Sequence, residues 1–191
     1  MLRSSWPRAG VGNLKSYYLD TNIFLARYSP SEREHESSRT LVDATEKGKL
    51  RAITSTLTLV EIASVVRRSP GKFPEKTSPA DAAGAFVRRA LSVRNLTYLP
   101  LGGDMAIGSG GFQPRIPLLF SAALKAAKTI PVRTLDLLHL ASAYMAARVF
   151  GEDLDFFTTM DEGILGFRKE VKDFLGCPAV TPNELVRLES L

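Results

Sequence analysis

Tyr17-Tyr18-Leu19-Asp20-Thr21-Asn22 is a short aromatic and apolar run that stops at three polar residues, after which Ile23, Phe24 and Leu25 open a helical pattern. It reads as a strand that passes at once through a turn into a helix. The same order recurs downstream. Residues 50–54 read as a second strand, Ser55-Thr56-Leu57-Thr58 as its turn, and 59–66 as a helix closed by Arg67, Arg68 and Pro70. Strands that alternate with helices in this way predict an α/β sandwich around a parallel sheet.

Working outward, the charged stretch 31–49 carries only a thin apolar stripe at Leu41 and Val42 and reads as a mostly exposed helix. Residues 69–79 are rich in Pro, Lys, Gly and Ser and read as a loop. Helical composition over 80–93, a third strand at 96–101, an irregular glycine-rich stretch at 102–117 and another helix at 118–129 follow. Pro131 sets off a long helix over 133–150, stopped by Gly151, and 155–159 is a core strand that runs into Met160 and Asp161. One more short strand around Val180 and a tail helix from Pro182 complete the chain, which has no internal repeat.

A chain of 191 residues with 45% hydrophobic content closes one buried core. The expected organisation is an N-terminal tail at 1–16, holding Arg3, Arg8 and Lys15 without a signal-peptide core, and one domain over 17–191 with an insertion near 69–117. The net charge of +5 favours polyanionic partners, although the excess is modest. A single cysteine, Cys177, excludes an intrachain disulfide and multi-cysteine zinc sites and points to a reducing, cytoplasmic compartment. His35 and His139 are the only histidines, so a three-histidine site is also excluded. A metal here is expected on oxygen ligands, which points to magnesium or manganese rather than zinc. No run approaches eighteen apolar residues, and no membrane span is expected.

Asp20, Glu61, Asp136 and Asp161 each fall where a strand ends or a helix begins. In a parallel sheet those positions share the carboxyl edge, where ligands bind. Four carboxylates gathered there repel one another unless protons or divalent cations neutralise them. Magnesium or manganese on these four acids would activate water and stabilise the leaving oxygen of a phosphodiester. Asn22, Ser55, Thr158 and Thr159 are short polar groups at the same strand ends, suited to orienting the carboxylates. Each acid also has a purely local reading. Thr58-Leu59-Val60-Glu61 matches a capping box, Asp136 falls in the first turn of a helix, and Asp20 and Asp161 suit helix N-caps.

Taken in order, Tyr17-Tyr18-Leu19-Asp20-Thr21-Asn22, Ser55 with Glu61 six residues later, Leu135-Asp136-Leu137-Leu138-His139-Leu140-Ala141-Ser142-Ala143 and Phe156-Phe157-Thr158-Thr159-Met160-Asp161 resemble the signatures of PIN-domain nucleases, the family of the VapC-like toxin ribonucleases. The resemblance covers nearly the whole chain in outline. It implies a three-layer α/β/α sandwich with a central parallel sheet, magnesium- or manganese-dependent cleavage of RNA, commonly a homodimer, and a cognate antitoxin protein as partner. It also implies that Asp20, Glu61 and Asp136 are the principal acids and metal ligands, Asp161 the fourth, and Asn22 and Thr159 supporting polar residues. His139 matches a position that usually faces the core beside the third acid, so its expected role is structural. The span from Glu61 to Asp136 is long for the family, and its Arg67, Arg68, Lys72, Lys76, Arg88, Arg89 and Arg94 make a candidate RNA-binding rim or a solvated surface.

Competing readings fare worse. A receiver domain wants an acidic pair after the first strand and a lysine after the last, and a haloacid-dehalogenase-like phosphatase wants Asp where Asn22 stands. Gly108-Ser109-Gly110-Gly111 lacks the Gly-Lys-Ser/Thr of a phosphate loop. An RNA-processing nuclease outside a toxin-antitoxin system, or an inactive RNA-binding module on the same fold, are the alternatives that keep the motif set.

Overall fold

The computed structural model describes residues 15–69, 78–106 and 115–191. Most of the loop expected at 69–79, and the Gly108-Ser109-Gly110-Gly111 run, lie outside the described residues.

The strands are β1 (Ser16–Leu19), β2 (Arg51–Ser55), β3 (Leu96–Leu99), β4 (Asp104–Ala106), β5 (Arg115–Pro117), β6 (Leu154–Thr158) and β7 (Ala179–Val180). The helices are α1 (Thr21–Tyr28), α2 (His35–Glu46), α3 (Leu57–Arg68), α4 (Pro79–Leu91), α5 (Leu118–Ala126), α6 (Thr134–Arg148), α7 (Glu162–Leu165), α8 (Arg168–Leu175) and α9 (Pro182–Leu188). Five strands form one sheet in the order β3-β2-β1-β6-β7, with every pairing parallel. Strands β4 and β5 make a separate antiparallel ribbon in the stretch whose sequence reads as irregular.

Side chains on a strand alternate between faces, and here each face has its own core. Tyr17, Leu19, Ala52 and Val180 pack on one side with α1, α2, α3, α4 and α9. Tyr18, Ile53, Phe157 and Ala179 pack on the other with α5, α6, α7 and α8. That division makes a three-layer α/β/α sandwich. The register places Tyr17 beside Phe156 and Tyr18 beside Phe157. Both pairs stack, with ring centroids 6.0 Å and 5.1 Å apart. Each fully buried aromatic contributes about 2–3 kcal/mol of burial, so these pairs hold β1 against β6 firmly at the centre.

Three departures from the sequence reading have local causes. Strand β1 takes in Ser16, one residue before the expected boundary, because its amide donates to Asp155 Oδ2 at 2.8 Å. Helix α2 starts only at His35, since Glu34 adopts a left-handed φ of 60° that no helix continues through. Helix α8 was not anticipated, because Arg168-Lys169-Glu170-Val171-Lys172-Asp173-Phe174-Leu175 is mostly charged and buries only Val171 and Leu175. Gly176, with φ 86°, ends it in the left-handed cap that glycine favours. Within 69–117, α4 packs in the first core and β3 extends the main sheet, while the β4–β5 ribbon stands apart from that sheet. Among the described residues no helix is long and apolar enough to cross a membrane.

Candidate active site

The strand order reverses at β1, whose neighbours are β2 on one side and β6 on the other. Loops leaving the carboxyl ends of β1 and β6 therefore part in opposite directions and open a crevice between them. Asp20 follows β1, and Thr159, Met160 and Asp161 follow β6.

Asp20 is buried and caps α1, its Oδ1 accepting the Thr21 amide at 2.7 Å. Its Oδ2 accepts Thr159 Oγ1 at 2.6 Å and Asn22 Nδ2 at 2.9 Å. Asn22 also donates to Thr159 Oγ1 at 3.1 Å and accepts the Met160 amide at 3.2 Å, which sews the two loops together. Burial pushes the Asp20 carboxyl above its ordinary range, against the opposing pull of His139 and Thr159.

Glu61 does not cap α3. That helix begins at Leu57, so Glu61 lies in its second turn and the capping-box reading does not apply. Its Oε2 takes a hydrogen bond from Thr21 Oγ1 and lies 2.5 Å from His139 Nε2. A chain of hydroxyls stands behind it: Thr54 donates to the Leu19 carbonyl at 2.7 Å, lies 2.8 Å from Thr58, and Thr58 is 3.3 Å from Thr21. Burial alone would raise the Glu61 carboxyl, but the hydrogen bond and charge of His139, with Thr21, hold it below its usual value. His139 Nε2 is also 3.7 Å from Asp20 Oδ1. One ligand atom each from Asp20, Glu61 and His139 fall within 4.8 Å of one another.

Asp136 and Asp161 line the adjoining cleft, of about 550 Å³, together with Pro131, Val132, Arg133, Glu162 and Gly163. Both acids also serve the local roles expected of them. Asp136 Oδ2 accepts the Arg133 amide at 3.2 Å in the first turn of α6, and Asp161 Oδ1 accepts the Ile164 amide at 3.2 Å as the cap of α7. A methyl group on Gly163 would come within 2.8 Å of Asp161 Oδ1, so the missing side chain leaves that carboxylate its space. The Asp136 carboxyl is pushed up to about 6, first by burial and then by the charges of Asp161 and Asp20. The charges of Asp161 and Asp20 thus act on Asp136 in the same direction as burial.

Ser55 Oγ accepts the Leu57 amide at 3.1 Å, so it serves the start of α3. Thr158 is buried with its Oγ1 unpaired, whereas Thr159 is the residue that contacts Asp20. Sequence reasoning overlooked Thr21, Thr58 and Tyr18 and placed His139 only in the core. A signal was available: Thr58 precedes Glu61 by three residues on one helix, and His139 follows Asp136 by three, spacings that share a helix face. Arg67 and Arg68 lie in the last turn of α3, the end of that helix remote from the crevice, and Lys72 and Lys76 lie outside the described residues. Arg33 and Arg133 are the cations at the crevice itself, Arg133 in its lining and Arg33 paired with Glu162 at 2.6 Å.

Three solved structures resemble the fold: VapBC2 from Rickettsia felis bound to a DNA fragment from its promoter (TM-score 0.53, 13% identity, 87% of this chain and 98% of that chain), a toxin-antitoxin complex from Klebsiella pneumoniae (0.46, 15%, 87% and 97%), and Mycobacterium tuberculosis VapC20, a sarcin-ricin loop cleaving toxin (0.48, 14%, 79% and 95%). No curated protein matches the sequence. The family model of the PIN domain matches residues 17–165, from the first residues of β1 through α7 and so across all four acids. This chain belongs to the PIN domain family.

Proposed function

We propose that the protein is a magnesium- or manganese-dependent endoribonuclease, and the toxin of a type II toxin-antitoxin pair. Membership of the PIN domain family supports a nuclease. The observation that carries the finer reading is that Asp20 and Glu61 meet beside the cleft lined by Asp136 and Asp161, with Asp136 raised to about 6 by burial and then by its acidic neighbours. A site this crowded with carboxylates suits a divalent cation, and its oxygen donors fit magnesium or manganese. Asp20, Glu61, Asp136 and Asp161 would hold it. Once bound, such an ion supplies a nucleophile at neutral pH and stabilises the leaving oxygen of a phosphodiester.

The chain's own residues do the positioning. Thr159 and Asn22 fix one oxygen of Asp20 and the Thr21 amide fixes the other, so the carboxylate has one orientation. Ser55 is proposed to support the site only indirectly, through the start of α3. Asp136 stands at the open side of the crevice and would help hold the ion; raised to about 6 by burial and by its acidic neighbours, it would face competition from a proton only in mild acid. Arg33 and Arg133 offer cations to the backbone phosphates of RNA at the two lips.

Phe120 and Leu124 on α5, Leu135 on α6 and Val60 on α3 are large and exposed apolar side chains, which favour a protein partner. We assign that surface to a homodimer and a cognate antitoxin. The toxin role draws on the likeness in fold to VapBC2. The working domain is taken as 17–191, extended by Ser16 of β1, with the ribbon in the 69–117 insertion available for substrate choice, acting in the cytoplasm on RNA.

The test is cleavage of a single-stranded RNA pool with magnesium, manganese or EDTA by the parent, Asp20→Asn and Asp136→Asn. Metal-dependent cleavage that falls roughly a thousandfold in both variants is expected, since losing a ligand forfeits several kcal/mol of transition-state stabilisation. Full activity in the variants would sink the four-acid site, and a silent parent that still binds RNA would favour the inactive binding module. Growth arrest on expression, relieved by an adjacent small protein, is the expected result for a toxin.

A further inference from the structure

At the crevice, Glu61 is gripped by an imidazole that reaches it from inside the core. The gripping group is His139, 2% exposed, which reaches the carboxylate from α6 across the interior. Its other nitrogen, Nδ1, lies 2.9 Å from the hydroxyl of Tyr18, itself fully buried on the central strand β1. Tyr18 is in turn held by its stack on Phe157 and an edge contact with the imidazole. The result is a continuous line from the middle of the sheet to the acid: Tyr18, His139, Glu61.

The chemistry of the two ends fixes the proton on the imidazole. An ionised carboxylate only accepts hydrogen bonds, so Nε2, 2.5 Å from Glu61 Oε2, must carry a hydrogen whether the ring is neutral or cationic. In the neutral ring Nδ1 is then an acceptor, and the Tyr18 hydroxyl donates to it. Thr21 adds a second donor to the same oxygen, Oε2. Among the described residues no hydrogen bond reaches Oε1, the oxygen left for a ligand at the crevice. We propose that His139, its Nε2–H aimed at Glu61 and its Nδ1 engaged by Tyr18, is the positioning residue of Glu61: it ties down one carboxylate oxygen from within the core and so leaves the other for the metal. The proposal rests on the metal-dependent nuclease reading, and it revises the purely structural role expected of His139.

The comparison to make is among His139→Gln, His139→Leu and Tyr18→Phe. A glutamine amide places a donor where Nε2 stands, leucine fills the space without one, and phenylalanine removes only the hydroxyl. Manganese binding to the purified full chain is measured by calorimetry, with thermal unfolding recorded in parallel so that a misfolded variant is recognised. Loss of a group that orients a ligand typically weakens metal affinity about 10–100-fold. His139→Leu is expected in that range, His139→Gln within about threefold of the parent, and Tyr18→Phe between them. An unchanged Kd in His139→Leu overturns the proposal. Equal losses in the Gln and Leu variants with an unchanged Tyr18→Phe also overturn it, because the imidazole would then be a ligand in its own right.

A second readout needs no metal. Nitrogen chemical shifts of His139 in the metal-free parent at alkaline pH should show the Nε2–H form, and Glu61 should keep it so in Tyr18→Phe; a parent in the Nδ1–H form overturns the assignment. A parent that binds no manganese fails the nuclease reading, and the tautomer measurement still decides whether Tyr18 and Glu61 orient the ring.

Discussion

Asp20 and Glu61 stand in the inner half of the crevice, where threonines, Asn22 and a buried histidine constrain their oxygens. Asp136 and Asp161 stand in the outer half, each held by one backbone amide and facing an open cleft. The electrostatics differ accordingly. Glu61 is held below its usual value by His139 and Thr21, whereas burial raises both Asp20 and Asp136, and Asp161 and Asp20 push Asp136 further up to about 6. The difference teaches a division of labour. The inner half holds a fixed geometry in the core, and the outer half holds an electrostatic tension that a bound cation would release.

The strongest way to break that contrast is pH. Asp136 takes up its proton at about 6, and a proton there must leave before a cation binds. Manganese affinity should therefore be flat above that pH and weaken roughly tenfold per pH unit below it, approaching a hundredfold near pH 4. Calorimetry across that range checks it, and an affinity independent of pH would remove the tension from the outer half.

A smaller effect should appear in stability. The folded carboxyl of Asp136 lies above its ordinary value of 3.8, so its ionised form is disfavoured by folding. The sign follows: the penalty is absent below about pH 4, develops from there to about 6 and is complete above. Asp136→Asn should thus raise metal-free stability by roughly 1–2 kcal/mol at neutral pH and leave it unchanged in acid. Urea unfolding at both values reads this out, and a variant less stable than the parent at neutral pH would count against the repulsion. Smallest of all is Ser55→Ala, which should cost about 1 kcal/mol of stability as a lost hydrogen bond to the Leu57 amide and leave metal affinity unchanged. A loss of metal affinity instead would return Ser55 to the site.

What could be read in advance follows from the same contrast. The outer acids were legible because capping and first-turn positions are local, as were the strand ends that place Asp20 beside Thr159. The sandwich was legible because apolar runs alternated with helical periods. The inner network was not, since Glu61 meets His139 78 positions away in the chain and a lone histidine on an apolar helix looks like core. Helix α8 was hidden by a charged sequence with a stripe only two residues deep, Val171 and Leu175. The β4–β5 ribbon was hidden by short strands whose pairing is with one another rather than with a recognisable partner.

Cys177, the chain's sole cysteine, sits between α8 and β7 with its thiol buried and pushed up to about 12. Only the thiolate reacts quickly with alkylating reagents, so the folded molecule is close to inert towards them. Each labelling event therefore records a moment when the β7 edge has come away from the second core. The protein carries its own clock for such openings, and a ligand at the crevice that steadies β6 would slow it without touching the thiol.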